Sequence, residues 1–469
     1  MKKKALCIVF TAACLIMCII PFAGMTVART DYTTENKRLA ELPALLENGS
    51  LNTGFMKQAG EYFEDRFAFR RQLVTTDAEI QSRLFGVSNT DTVIKGTGGW
   101  LYYSATLGDY LGKTMSEREI DNIVHNLCIT QNYAELHEIK FLFTIAPNKN
   151  SLYGDDMPYY DRLRIGTQRS SDILEQKLSG QGISYLDLFE LFENQDETLY
   201  LMRDSHWNNK GALLAYNAMM DALDKEHDDY SGAVARRSRT EYGDLNKMLY
   251  PLSAQPEWNY YYQTDGFSYA TPTNSVEEAW IQTTGEKEKA AGTLLMYRDS
   301  FGNTLIPFMA GEFGSAYFSK LTPFDFAADI ETCRPEYIII EKVERNIGDL
   351  ATDPPVIPAY QVINTDNPQK SKTAATMNIS ESEANNKYLE ISGELDESVA
   401  QTDAQIYLVI ETEGCKEVYA AFHTTTDNTD YGYLAYLPKD VPTDGSAKAS
   451  VIVKSGGTTQ TVCVKTLVI

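Results

Sequence analysis

The sequence predicts an α/β protein with an open, mostly parallel sheet that carries helices on both faces. An apolar N-terminal helix precedes this sheet, and a C-terminal all-β, sandwich-like region follows it. From about residue 116 to residue 343, apolar runs that suit buried strands alternate with amphipathic helical segments. After residue 372 the pattern changes to short, threonine-rich alternating stretches, which are typical of a small β-sandwich.

The N-terminal segment, residues 1–29, predicts a signal anchor. Lys2, Lys3 and Lys4 precede an uncharged stretch from Ala5 to Ala28, which is long enough to span a bilayer as a helix. The lysines would hold its start in the cytoplasm. The alternative is a signal peptide that is cleaved after the small residues 26–28. Both interpretations place the body of the protein outside the cytoplasm.

The predicted catalytic domain covers residues 30–355. Residues 31–90 are polar and helical, and "TVIKGTGGWLYYS" (92–104) predicts a hairpin around its glycines. Strands are then predicted at 140–147, 183–189, 293–297 and 336–343, and helices at 116–136, 173–178 and 211–223. Proline-rich and polar residues at about 350–375 indicate a linker to the β-rich domain, residues 373–469.

Residues 228–290 show no clear periodicity and are rich in aromatic side chains, among them Trp258 and the run from Tyr260 to Tyr262. A structureless stretch of this length in a compact domain is usually functional, as a lid or a binding loop. The other interpretation is that the segment contains short elements whose pattern is not visible in the sequence.

Charge and cysteine content exclude some classes of function. The chain has 469 residues, with 65 acidic against 42 basic side chains, and its net charge of -23 argues against a nucleic-acid ligand. It contains no Cys-x-x-Cys pair and only five histidines, so no zinc site or other metal site is predicted. Cys415 and Cys463 are compatible with one disulfide or with two free buried thiols.

"LLMYRDSFGNTLIP" (294–307) places Ser300 in a tight turn between a buried strand and a helix. Open α/β sheets keep their reactive groups at such carboxyl ends of strands. A serine at this position is either a nucleophile or the N-cap of the following helix, because serine and aspartate are also preferred caps. The stretch alone does not distinguish the two.

"LMRDSHWNNKGALLAYNAM" (201–219) places Asp204 and His206 in a second strand-to-helix turn, before a helix that Asn208 would cap. Residues two apart on an extended backbone point the same way, so the carboxylate can reach the imidazole and fix its tautomer. The remaining histidines lie in predicted helical or β-surface contexts. Strand-end placement would bring both turns to one edge of the sheet, where Ser300 gains a base.

These motifs resemble a known family. "RDSHWNNKGA" is similar to the Asp-x-His-Trp-Asn-x-x-Gly motif of the SGNH-hydrolase-like domain in alginate O-acetyltransferases and DHHW proteins, and "YRDSFG" resembles its nucleophile block. Further similarity occurs in "ENKRLAELP" (35–43), "YFEDRFAFR" (62–70), "IKGTGGWLYY" (94–103) and "IAPNKNSLY" (145–153). The resemblance covers roughly residues 30–350 and implies a triad of Asp204, His206 and Ser300.

Four further residues are weaker candidates. Asn148, at the end of strand 140–147, is compatible with an oxyanion donor or with a loop cap. Arg298 would orient a substrate carboxylate or pair with Asp299. Tyr102 and Tyr103 are candidate sugar-stacking side chains, although such residues more often belong to the core.

The resemblance implies an extracytoplasmic O-acetyltransferase that acts on a cell-surface or exported polysaccharide without a metal or a cofactor. It also implies a partner, a multi-spanning membrane-bound O-acyltransferase that supplies the acyl groups. Two alternatives stay open at this point. One is a polysaccharide O-acetyl esterase with the same triad, and the other is a non-catalytic surface protein that binds glycan through its β-rich domain.

Overall fold

The structure is a computed structural model that describes residues 2–24, 40–47, 50–270, 275–322, 324–365, 368–371, 375–402, 404–412, 415–440 and 446–467. The small-residue sequence at 26–28 and most of the block at 35–43 lie outside these ranges.

The N-terminal part of the described chain consists of helices and two short hairpins. Its elements are α1 (Lys2–Gly24), β1 (Leu46–Glu47), β2 (Ser50–Leu51), α2 (Phe55–Arg66), α3 (Arg70–Phe85), β3 (Val93–Lys95), β4 (Leu101–Tyr103) and α4 (Leu107–Tyr110). The predicted glycine-rich hairpin is confirmed, because β3 and β4 pair antiparallel.

The predicted membrane-spanning segment has no support in the described residues. The N-terminal stretch is helical, with the three lysines in its first turn and Pro21 near its end. Across the described ranges, however, we find no helix with the length and apolarity that crossing a membrane requires.

The middle of the chain alternates between helices and strands. It contains α5 (Glu117–Leu136), β5 (Lys140–Ala146), α6 (Lys149–Leu152), α7 (Pro158–Asp161), α8 (Ser170–Gln181), β6 (Tyr185–Leu186), α9 (Leu188–Glu193), α10 (Asn209–Ala222), β7 (Arg236–Glu241), α11 (Asp244–Leu249), β8 (Glu257–Tyr261), β9 (Phe267–Tyr269), β10 (Trp280–Gly285), β11 (Thr293–Tyr297), α12 (Ile306–Met309), β12 (Ser315–Ser319), α13 (Phe326–Cys333), β13 (Tyr337–Val343) and α14 (Asp349–Thr352).

Seven of these strands form one sheet in the described chain, in the order β6-β5-β13-β11-β12-β10-β9. The first five are parallel neighbours, while β10 pairs antiparallel with β12 and β9 pairs antiparallel with β10. The predicted α/β fold with a mostly parallel sheet is confirmed, with an antiparallel edge that the sequence did not indicate.

Both faces of the central parallel strands are buried, which explains why the sequences of these strands are largely apolar. On β11, Leu295 and Tyr297 face a core shared with α5, α8 and α13, whereas Leu294 and Met296 face a core shared with α10 and α12. The central strands therefore place their carboxyl ends at one edge of a rigid sheet.

Two segments differ from the predictions because local hydrogen bonding overrides the hydrophobic pattern. The strand predicted at 183–189 is limited to Tyr185–Leu186, since the Asp187 side chain accepts from two backbone amides and starts α9. The segment 228–290 is not structureless, because it contains β7, α11, β8, β9 and β10. The second interpretation of that segment, that it hides short elements, is the correct one.

The C-terminal region is β-rich, as predicted. It consists of β14 (Gln369–Lys370), β15 (Asn378–Glu381), β16 (Tyr388–Glu394), β17 (Gln405–Glu411), β18 (Lys416–Ala420), β19 (Phe422–Thr424), β20 (Gly432–Pro438), β21 (Ala447–Ser455) and β22 (Thr458–Leu467). These strands form a five-stranded and a four-stranded sheet that share one buried apolar cluster. Cys415 and Cys463 are both free thiols, so neither forms the disulfide that the sequence allowed, and Cys415 is exposed.

The predicted linker is not free chain. Val356 and Ile357 are fully buried, and the Val356 amide donates to the carbonyl of Phe324 at 2.8 Å. A few residues later, the Ala420 amide of β18 donates to the carbonyl of Ala359 at 2.8 Å. The segment is therefore bonded to both the α/β part and the β-rich part.

Helix α5 also joins the two parts. The Asn126 side chain donates to the backbone carbonyl of His423 at 2.8 Å and accepts from its amide at 3.0 Å. His423 is not a surface residue, since it is 1% exposed and its ring stacks on the ring of half-buried His125 with 3.8 Å between the centroids. Burial lowers the pKa of His125 to about 4 and lowers that of His423 as well, so both rings are neutral near pH 7.

Candidate active site

Two turns meet at the carboxyl edge of the sheet. Ser300 lies three residues after the end of β11, immediately before the 3-10 turn Phe301–Thr304, and its Oγ lies 2.8 Å from Nε2 of His206. On the other ring nitrogen, Nδ1 of His206 lies 2.6 Å from Oδ1 of Asp204. The structure thus brings the three predicted side chains into one hydrogen-bonded series.

Packing fixes the two turns against each other. The indole Nε1 of Trp207 donates to Oγ1 of Thr304 at 2.6 Å. The His206 ring contacts the ring of Phe301, with 4.8 Å between their centroids. Asn208 caps α10 as predicted, because its side chain accepts from the amides of residues 210 and 211.

Ser300 does not cap the helix that follows it. Although it occupies the N-cap position, its side chain makes no capping hydrogen bond. Asp299 shapes the turn instead, since its carboxylate accepts from the Phe301 amide at 2.9 Å and from the Val343 amide at 2.7 Å. The Ser300 hydroxyl is consequently directed to His206.

Asp204 is held as a carboxylate. Burial favours its protonated form, but the charge and hydrogen bond of His206, together with a backbone bond from Asp244, outweigh burial and lower the pKa of Asp204. Besides its 2.6 Å bond with the His206 ring, the carboxylate accepts from the His206 amide at 2.9 Å and from the Asp244 amide at 2.8 Å. Only 10% of the Asp204 side chain is exposed, so water screens this charge weakly.

His206 has the electrostatic environment of a base. Burial lowers its pKa, but the Asp204 carboxylate and its hydrogen bond more than compensate, so that the pKa of His206 lies above its usual value of 6.5. Its side chain remains 22% exposed, so one edge of the ring is open to reactants.

Asp244 is a part of this site that the sequence did not identify. Its Oδ2 lies 3.7 Å from Nδ1 of His206, and its carboxylate accepts from the amide of Ser205 at 2.8 Å and from the hydroxyl of Ser205 at 2.5 Å. Burial, and then the charge of Asp204, raise the pKa of Asp244. Ligand atoms of Asp204, His206 and Asp244 lie within 4.8 Å of one another, so a metal ion at this position would compete with the 2.6 Å hydrogen bond between Asp204 and His206.

Arg298 and Tyr102 are placed differently from the substrate-binding roles predicted for them. Arg298 is buried and donates to the backbone carbonyls of Val276 and Glu278 at 3.0 Å each, so its guanidinium anchors the chain before β10. It bonds the carbonyl of Asp299 and not the carboxylate. Tyr102 is 1% exposed and cannot stack on a sugar.

Asn148 and Tyr103 lie close to a second residue that the sequence did not identify, Arg345. The Arg345 guanidinium lies 5.5 Å from the ring centres of both Tyr103 and Phe301, and it bonds Oδ1 of Asn148 at 3.5 Å. Nδ2 of Asn148 is buried and has no hydrogen-bond partner among the described residues. Tyr103 is half-buried, so part of its ring stays open for stacking.

A hydrogen-bonded Ser-His-Asp series at the carboxyl edge of a mostly parallel α/β sheet is typical of hydrolases and acyltransferases that use a serine nucleophile. The family model described as "SGNH hydrolase-like domain, acetyltransferase AlgX" matches residues 93–285. The resemblance seen in the motifs is confirmed over this range, which is shorter than the predicted 30–350. The matched range contains Asp204, His206 and Asp244 and ends before Ser300.

Solved structures of three proteins are similar to this chain at low identity. PatB1 of Bacillus cereus shares 15% identity over 54% of this chain and 96% of its own, with a TM-score of 0.44. A DHHW family protein of Eubacterium siraeum shares 13% identity over 55% of this chain and 93% of its own, with a TM-score of 0.41. AlgX of Pseudomonas aeruginosa shares 12% identity over 79% of this chain and 90% of its own, with a TM-score of 0.37. The comparison with curated proteins gave no match.

Proposed function

We propose that the protein is an extracytoplasmic SGNH-type O-acetyltransferase that acts on a cell-surface or exported polysaccharide through an acyl-enzyme on Ser300. The observation that carries this proposal is the series from Ser300 Oγ to His206 Nε2 at 2.8 Å and from His206 Nδ1 to Asp204 Oδ1 at 2.6 Å. This series supplies a nucleophile, a general base and an orienting carboxylate in contact with one another.

In the first half-reaction Ser300 takes the acetyl group. His206 Nε2 accepts the hydroxyl proton as Oγ attacks the carbonyl carbon of the donor ester, and Asp204 stabilises the imidazolium that forms. The tetrahedral intermediate then collapses, the bond between the acyl carbon and the leaving oxygen breaks, and His206 gives its proton to that oxygen. The products are the donor alcohol and acetyl-Ser300.

In the second half-reaction the acetyl group passes to a carbohydrate hydroxyl. Neutral His206 accepts the proton of that hydroxyl, whose oxygen attacks the acyl carbon, and the proton returns to Ser300 Oγ as the ester bond to the serine breaks. Asn148 Nδ2 is our candidate donor to the oxyanion in both halves, because it is buried and has no partner among the described residues. Loss of one such donor typically costs about 10²–10³ in rate.

Acceptor competition distinguishes transfer from hydrolysis. The protein is incubated with a chromogenic acetyl ester, with and without a glycan acceptor, and chromophore, acetate and acetylated glycan are measured separately. We expect the acceptor to divert acetyl groups into glycan ester, so that acetate accounts for only part of the chromophore released. Complete conversion to acetate at saturating acceptor would favour the esterase, and no turnover at all would contradict both enzymatic proposals.

The proposed location rests on the leader-like N-terminus, with its lysines followed by an uncharged apolar stretch. We propose that a separate membrane-bound O-acyltransferase delivers acyl groups to the protein on the outer side. A reporter that is active only outside the cytoplasm, fused after residue 469, should be active. Activity of a cytoplasm-specific reporter at the same position would contradict the proposed location.

A further inference from the structure

Lys149 contacts the loop that carries Asp204 and His206. It lies in α6, three residues after β5 ends, and its ammonium donates to the backbone carbonyls of Leu201 at 3.1 Å, Met202 at 3.0 Å and Asp204 at 2.5 Å. A lysine ammonium has three donors. All three are therefore used on one short stretch of backbone, residues 201–204.

The ammonium is enclosed rather than solvated. Lys149 is 3% exposed, and its Nζ lies 5.6 Å from the ring centre of Trp100 and 5.2 Å from that of Tyr102. Burial lowers its pKa to about 8, while the carboxylates of Asp204 and Asp244 oppose the shift. The Lys149 amine is thus mainly protonated at pH 7, and the ammonium form has all three N–H donors.

The remaining polar groups of the loop are also bonded to the body of the domain. The Glu257 carboxylate accepts from the amides of Met202 at 2.8 Å and Arg203 at 3.0 Å, while the Leu101 amide of β4 donates to the Met202 carbonyl at 3.0 Å. Lys149 and the glycine-rich hairpin therefore act on the same carbonyl. The loop lacks a strand or helix of its own at residues 201–206, so these bonds set its conformation.

We propose that Lys149 is a positioning residue for acyl transfer, whose ammonium fixes residues 201–204 so that Asp204 and His206 face Ser300. This inference rests on the proposed function of the same site. It gives the motif "IAPNKNSLY" a role in orienting the base, through a residue that does not touch the reacting atoms. A displacement of about 1 Å at a catalytic group can cost about 10² in rate.

The test compares Lys149→Met with Lys342→Met. Lys342 is a matched control, because it is also a buried lysine near an aromatic ring: it is 5% exposed, and its Nζ lies 5.6 Å from the ring centre of Phe324. Its ammonium pairs with the carboxylate of Asp349 at 2.7 Å and not with residues 201–204. We expect Lys149→Met to lower kcat for ester turnover about 10²-fold with KM within about 3-fold of the original value. Lys342→Met should keep kcat within about 3-fold of the original.

Amide hydrogen exchange supplies a readout that does not depend on activity. Exchange at residues 201–206 should be at least about 10-fold faster in folded Lys149→Met than in Lys342→Met. If Lys149→Met does not fold, Lys149→Arg replaces it. A planar guanidinium cannot converge on three carbonyls, so about a 10-fold loss of kcat is expected.

An inactive original protein would contradict the proposed function, whereas an active one with equal kcat and equal exchange in both methionine variants would overturn the role of Lys149. If Lys149→Met does not fold, unchanged kcat and unchanged amide exchange in folded Lys149→Arg would overturn the positioning role of Lys149.

Discussion

Ser300→Ala is expected to abolish ester turnover, with a loss of about 10⁶ in kcat, the loss seen when a serine hydrolase loses its nucleophile. The substitution removes the only atom that can form the acyl bond and leaves the His206–Asp204 pair in place. Since the Ser300 side chain makes no capping bond, and Asp299 holds the turn, the free energy of unfolding should change by less than about 1 kcal/mol. Turnover and thermal unfolding are measured on the same preparation.

Ser319→Ala is the matched control for this substitution. Ser319 is a buried serine at the end of β12, the parallel neighbour of β11, and its hydroxyl accepts from the amide of Leu321 at 3.2 Å. We expect this variant to retain turnover. Equal turnover by Ser300→Ala and the original protein would mean that the serine is not the nucleophile, and the glycan-binding alternative would then gain weight.

Asp204→Asn is expected to lower kcat by about 10⁴, a smaller loss than that of Ser300→Ala. The amide cannot stabilise the imidazolium, and its NH₂ group favours the wrong tautomer of His206. Asp244, at 3.7 Å from Nδ1, stays as a more distant negative charge. We therefore expect residual turnover, and Asp244→Asn alone should cost less than Asp204→Asn.

The pH dependence gives the same substitution a second readout. The reaction needs neutral His206, whose pKa is raised above 6.5, so turnover should increase as the pH rises through this raised value. Asp204→Asn removes the charge that mainly offsets the effect of burial on the pKa of His206. The pKa of His206 therefore falls, and the acid limb of the pH profile moves to lower pH. An acid limb that stays in place in this variant would contradict the assigned electrostatic role of Asp204.

Much of the fold could be predicted because the parallel strands are buried on both faces. Their sequences are largely apolar, as in Thr293–Tyr297 and in residues 337–340 of β13, and their order alternates with helical patterns. The placement of Ser300 was also predictable, since it follows a strand that ends at the carboxyl edge of the sheet. The strand predicted before His206 is not part of this sheet, because residues 199–207 form only the isolated bridge between Tyr200 and Trp207. The contact between His206 and Ser300 therefore depends on the packing of an irregular loop as well as on the topology of the sheet.

Contacts across long sequence separations could not be predicted. Asp244 reaches His206 from a segment without hydrophobic periodicity, and Arg345 reaches Phe301 from the end of β13. Composition and spacing do not separate a buried tyrosine from an exposed one, so both stacking and core positions were open for Tyr102 and Tyr103. Apolar character in the segment at 354–359 was hidden by its prolines, which made a packed connection resemble a linker.

The proposed mechanism requires an acetyl group on Ser300, which mass spectrometry detects after brief exposure of the protein to an acetyl donor and acid quenching. We predict one added acetyl group on the original protein, located in the peptide that contains Ser300, and none on Ser300→Ala. Equal labelling of the two proteins, or an acetyl group located in another peptide, would contradict the account.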